Sequence, residues 1–167
     1  MTIKNILTFL EHFPAIEPPI LLSVEEITTY SRENKPFSQG IVREVFIPFE
    51  SQYSDEQLVE FIPCFSLPSD SRMHVLVYYR GDLFINEYNL LTMNNKGTII
   101  DKKAIAGTFL DKDKLIRYVA SIDKDGLIQV VIGSNKGARD FYNPLNSKTI
   151  TYEIAPDGTI ILSSNTN

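Results

Sequence analysis

The sequence predicts a mainly β fold with a small α part (α+β). The expected architecture is an antiparallel up-and-down meander of about eight strands, forming a sandwich or a partly closed barrel, with an N-terminal helix packed at one end. Three observations predict it. From residue 57 onward, short apolar segments of strand character alternate with turn residues, and no long helical repeat lies between them. Three connections, Asn-Lys-Gly97, Lys-Asp-Gly126 and Pro-Asp-Gly158, place glycine where a hairpin turn needs positive φ, each followed by an apolar segment. Seven of the nine prolines lie before residue 70, so the first third of the chain is expected to wrap irregularly and the remainder to be regular.

Taken in order, Ile3, Ile6, Leu7, Leu10 and Phe13 recur at helical spacing between Thr2 and Pro14, which predicts an amphipathic helix over 2–13. The proline-bounded stretch 13–21 must be extended, because a residue before proline avoids the α region. Ser23-Val-Glu-Glu26 has the form of a capping box and predicts a short helix to about residue 33. Residues 41–49 alternate as a strand does, with Pro48 placing it at a sheet edge. Strands are then expected at 57–66, 73–80, 83–94, 98–106, 114–123, 127–133, 149–155 and 159–164. In 114–123 the residues Ile116, Tyr118, Ala120 and Ile122 share one face. Gly133-Ser-Asn-Lys-Gly137 reads as an inter-strand loop, and residues 163–167 as a frayed tail. The three glycine turns recur 29 and 32 residues apart, a spacing that an ordinary meander explains without an internal repeat. One domain over 1–162 is expected, with 1–56 as the wrapping segment and 57–162 as the meander.

Composition narrows the function classes. The chain has 167 residues, 43% hydrophobic and 22% charged, which is ordinary for a soluble globule. It carries 16 basic and 21 acidic residues, a net charge of -5. Without a global positive field, nucleic acid is a poor partner. The acids concentrate early: residues 1–60 hold ten acids against four bases, net -6. No apolar run is long enough for a membrane span. Cys64 is the only cysteine, so no intrachain disulfide can form, and a cytoplasmic location is expected. No cofactor signature is present.

Few residues have the chemistry of a site. His74 is the one mid-strand imidazole, with a pKa range suited to a general base, and Cys64 is the one thiol; these are the catalytic candidates. A free cysteine flanked by Phe61, Ile62 and Phe65 is more often buried than reactive. Asp123 and Asp125 are the metal candidates, because Ser121-x-Asp123-x-Asp125-Gly126 overlays the start of an EF-hand loop. That loop needs a carboxylate at its twelfth position, and Ile132 stands there. Tyr78, Tyr88, Tyr118 and Tyr152 are the ligand-binding candidates: on an open face they make a platform, and on a closed one they are core. The expected function is therefore non-catalytic, exercised by binding another protein. The alternatives are a β-cup carrier of a small apolar ligand and an enzyme that uses His74.

Overall fold

The structure, a computed structural model, describes residues 2–50, 58–69, 72–111, 114–136 and 147–164. Among these, the strands are β1 (Ile20–Leu22), β2 (Glu60–Leu67), β3 (Met73–Gly81), β4 (Ile85–Asn94), β5 (Ile99–Asp111), β6 (Lys114–Ile122), β7 (Ile128–Lys136), β8 (Lys148–Ile154) and β9 (Ile160–Ser164). β2 through β9 lie side by side in chain order as an antiparallel meander, and β1 joins β6. Each of the eight expected strands is present. Gly97, Gly126 and Gly158 all have positive φ, as their hairpins require.

Two cores flank the first strands. Val75, Val77 and Tyr79 of β3 point into an inner core with Leu90, Ile105 and Val130. The intervening Leu76 and Tyr78 point into an outer core with Leu91 and Met93 of β4. A sheet covered on both faces reads as a continuous apolar run, which is why Val75–Tyr79 does not alternate in polarity.

The outer cover comes from the N-terminal segment. α1 (Ile6–Leu10), α2 (Ile27–Glu33) and α3 (Gln39–Ile41) are short, and α3 runs on as a π-helical turn over Val42–Phe46. Phe9 stacks on Phe37 with centroids 5.4 Å apart, and Phe46 on Phe61 at 4.5 Å, aromatic pairing that adds to the area they bury. α1 is shorter than the expected 2–13. Thr2 bridges Thr98, and the Ile3 amide donates to the Gly97 carbonyl at 2.9 Å, so the first residues pair with the β4–β5 turn instead of coiling. His12, just past α1, is half-buried with its ring edge-on to Phe37. The Ser23–Glu26 capping box is formed and opens α2 through a 3-10 turn at Val24–Glu26.

Residues 41–49 correct the sequence reading, because they hold no strand and are helical over Ile41–Phe46. Val42, Val45 and Phe46 stand at helical spacing and are the residues that bury, while the expected alternation would have divided them between two faces. A second correction concerns 133–137. β7 continues through Lys136, with Gly133 opposite Arg117, so that segment is strand as far as it is described, and Gly137 lies outside the described residues. Ser163 and Ser164 belong to β9; the rest of the expected frayed tail lies outside the described residues.

The sheet curls without closing. β6 pairs with β5 only over Gly107–Asp111 and then departs; further along that edge it pairs with β1, with Leu22 opposite Ala120. The departure begins at Gly107, whose φ of +137° and whose 2.1 Å approach between a built Cβ and the Asn86 carbonyl oxygen exclude any side chain. Leu22 and Tyr30 fill the space that opens: Leu22 is fully buried, and the Tyr30 ring lies 5.7 Å from Phe65 and 6.0 Å from Tyr88. On the other side, side chains replace a ladder. The Thr92 hydroxyl donates to the Gly158 carbonyl at 2.6 Å, and the Asp101 carboxylate accepts the Ile160 amide at 2.8 Å. The outer edge of β2 is also covered. Ser66 exchanges backbone bonds with Pro14 and Ile16, and the Asn34 amide donates to the carbonyls of Pro63 and Cys64. That edge is not open to another strand.

Candidate functional site

The two catalytic candidates do not meet. Cys64 is fully buried in the inner core, its thiol donating to the Ile62 carbonyl, and burial pushes the thiol well above its ordinary range. His74 is half-buried and stands opposite Met93; Leu76 and Tyr78, on its face of β3, belong to the outer core. The thiol and the imidazole thus lie on opposite faces of the sheet. Asp123 uses its carboxylate locally, accepting the amides of Asp125 and Leu127 at 2.9 Å within the β6–β7 turn. Among the described residues, no three His, Cys, Asp or Glu side chains converge as metal ligands.

The four tyrosines divide three to one: Tyr88, Tyr118 and Tyr152 pack with the inner core, and Tyr78 lies in the outer one. Tyr78 and Tyr88 are fully buried, one in each core. Tyr118 and Tyr152 are half-buried. Tyr118 packs on Phe109, and burial raises its hydroxyl to about 12; Tyr152 lies beneath the Lys103 ammonium, 5.2 Å from the ring centroid. They do not form one platform.

What sequence reasoning missed is a buried charged network at the end of the helical cover. The Glu50 carboxylate accepts the Tyr78 hydroxyl at 2.5 Å, the Arg80 guanidinium at 3.1 Å and the Lys102 ammonium at 2.8 Å. Arg80 reaches onward to Asp82 at 3.0 Å. Glu50 and Arg80 are each 3% exposed, so both charges are held by these partners rather than by water. Glu87, opposite Arg80 on β4, is raised by burial, against the opposing pull of Asn89, Arg80 and Lys102. Burial also raises Asp82, but bonds from the Phe84 and Ile85 amides and from Arg80 outweigh it, and its carboxyl is held below the usual range. The one signal in the sequence was Arg80 directly continuing the apolar run of β3.

This network supports a surface. Asp82 accepts the amides of Phe84 and Ile85, both at 2.8 Å, and its own amide donates to the Ile85 carbonyl, which fixes the β3–β4 turn from within. The fixed turn holds Leu83 and Phe84 in solvent, 64% and 58% exposed. The Phe84 carbonyl accepts the Leu110 amide at 3.3 Å, and Leu110 stands opposite Leu115; these leucines are 51% and 41% exposed. Four large apolar side chains thus crowd the end of the sheet where β3 meets β4 and β5 meets β6. No model of a protein family matches the chain, and no curated protein or solved structure matches it either.

Proposed function

We propose that this protein works without catalysis by binding another polypeptide, and that its contact surface is the apolar end formed by Leu83, Phe84, Leu110 and Leu115. The observation that carries the reading is the exposure of Leu83 and Phe84 on a turn already fixed by Asp82. Anchors held in place before binding lose little freedom on association, so more of their burial appears as affinity. Aromatic and branched side chains clustered at the centre of a contact supply most of its energy.

The chemistry of the chain supports the same reading. With a net charge of -5 it is a poor ligand for nucleic acid. A single buried thiol fits a reducing compartment, so the proposed place of action is the cytoplasm. No helix among the described residues is long and apolar enough to cross a membrane. The early acidic excess is a lesser contributor to the surface than its count suggests, because Glu50 is buried in the network; Glu11, Glu17 and Glu33 are exposed.

The test is a photo-cross-link in the host. p-Benzoylphenylalanine placed at Phe84, and in parallel at the exposed outer position Gln129, is irradiated in living cells. Adducts to a discrete second polypeptide at 84 and none at 129 support the reading. No adduct at 84, or equal adducts at both positions, overturns it.

A further inference from the structure

The inner face of the sheet is not covered along its whole length. Residues opposite one another in register share a face. On this face Ala120, Ile122, Ile128 and Val130 are buried in the inner core. The rows that continue from them are not. Val130 stands opposite Ile150, Ile128 opposite Tyr152, and Tyr152 opposite Leu162 on the last strand of the sheet. Ile150 and Tyr152 are half-buried, as is Ile132, the next inward position of β7, and Leu162 is 52% exposed. Together these side chains make an apolar shelf that continues the floor of the inner core out to solvent.

The shelf is bordered by cations. Lys103 stands opposite Leu90 on the inner side of β5 and crosses to β8, where its ammonium lies 5.2 Å from the Tyr152 ring centroid. Lys148, opposite Ile132, is four residues before Tyr152, about 13 Å along the strand. Both lysines are exposed, and among the described residues neither ammonium is paired with a carboxylate. The neighbouring acids are engaged elsewhere. Asp101 accepts the Lys102 and Ile160 amides, both at 2.8 Å, and Glu153 accepts the Ser163 hydroxyl on the opposite face of β8. Glu87, whose charge reaches Tyr118, is bonded to Asn89 and pushed toward its neutral form by burial. We propose that this shelf binds a single-chain amphiphilic anion, an alkyl carboxylate of medium length. Its carboxylate meets the Lys103 ammonium, and its chain lies over Tyr152, Ile150 and Leu162. Charge complementarity selects this occupant, because a cationic amphiphile would meet two like charges there. The shelf lies on the inner face and does not depend on the Leu83–Phe84 end binding anything.

The experiment uses two probes with the same chain and opposite head groups, octanoate and octylammonium. Each is titrated into the full chain, below the concentration at which it forms micelles, and followed by amide ¹H–¹⁵N spectra. Octanoate is expected to shift the amides of Ile150, Tyr152 and Leu162 saturably and to leave that of Phe84 in place. Lys103→Gln weakens its binding about fivefold, the loss expected for one ion pair partly open to water. Leu162→Glu, at an exposed position, abolishes it while the rest of the spectrum is retained. If Leu162→Glu fails to fold, Lys103→Gln still decides, because Lys103 is exposed. Octylammonium binding as tightly as octanoate, unchanged binding in Lys103→Gln, or no saturable shift at the shelf each overturns the proposal. So does broadening of the shelf amides with protein concentration in the absence of probe, which marks a second copy of the chain as the occupant. None of these outcomes decides whether the apolar end binds a protein.

Discussion

The Tyr78 hydroxyl donates to the Glu50 carboxylate at 2.5 Å, across 28 residues of sequence, and joins the end of the helical cover to the middle of β3. Arg80 and Lys102 complete the grip on the same carboxylate, so one acid from the cover is held by two strands of the sheet. Removing that acid leaves Arg80 buried with half its pairing gone. Glu50→Ala should therefore cost about 3–5 kcal/mol of stability, the usual penalty for breaking a buried pair from one side. Tyr78→Phe should cost about 1.5 kcal/mol, because Glu50 keeps its two cations. Lys102→Met should cost about 1 kcal/mol, since that ammonium is partly open to water. Urea unfolding of the three variants gives the order, and a Glu50→Ala protein as stable as the parent contradicts the latch.

The same network fixes a pH dependence. Glu87 has a folded pKa above its ordinary 4.5, chiefly through burial, so the folded state binds its proton more tightly than the unfolded state. Stability from this group is present below 4.5 and falls as pH rises through the folded value. Asp82 behaves oppositely: its carboxyl lies below 3.8 when folded, so its contribution is present above 3.8 and is lost as pH drops through the folded value. Glu87→Gln should be more stable than the parent at pH 7 and should lose the decline above pH 4.5. Thermal melts across pH 3–8 check both limbs, and a Glu87→Gln protein with an unchanged upper limb contradicts the assignment.

Gly107 and Gly126 offer a matched comparison of backbone need. Both have positive φ, but a Cβ at Gly107 meets the Asn86 carbonyl oxygen at 2.1 Å, whereas one at Gly126 meets nothing within 4 Å. Gly126→Ala should cost about 1–2 kcal/mol of conformational strain alone. Gly107→Ala adds a collision with the backbone of β4 and should prevent β5 from pairing there, with a loss of more than about 3 kcal/mol. Equal costs for the two variants contradict the close approach of β4 and β5.

Cys64 supplies a probe of opening. A fully buried thiol, pushed well above its ordinary range, carries almost no thiolate in the folded protein. Iodoacetamide should modify Cys64 only through unfolding, at a rate that follows the unfolding of the inner core. Rapid labelling at pH 8 without denaturant contradicts its place there.

How much of this was legible before the structure follows from what each residue pattern encodes. The strands from β2 to β9 could be read because turn residues lie between them, and the hairpin glycines at 97, 126 and 158 carry the positive φ their turns need. The capping box at Ser23 was read for the same reason: both partners are three residues apart. Residues 41–49 were misread because an apolar-rich segment satisfies both periods; the choice of Val42, Val45 and Phe46 as the buried face is made by Phe61 and Tyr78, which lie in distant strands. Gly133–Lys136 looks like a loop in composition and is kept extended by pairing with Lys114–Arg117. The Glu50 network was invisible because its members come from three separate segments, and no local spacing joins residue 50 to residues 80 and 102.

The proposal that the Leu83–Phe84 end binds a protein is tested most directly by native mass spectrometry. The protein is recovered gently from its own host, as the parent chain and as a Leu83→Ser/Phe84→Ser variant. Both substituted positions are exposed, so the variant should fold as the parent does. The account predicts a second polypeptide bound to the parent at a fixed stoichiometry and absent from the variant. A partner retained by the variant, or a bare chain in both samples, contradicts it.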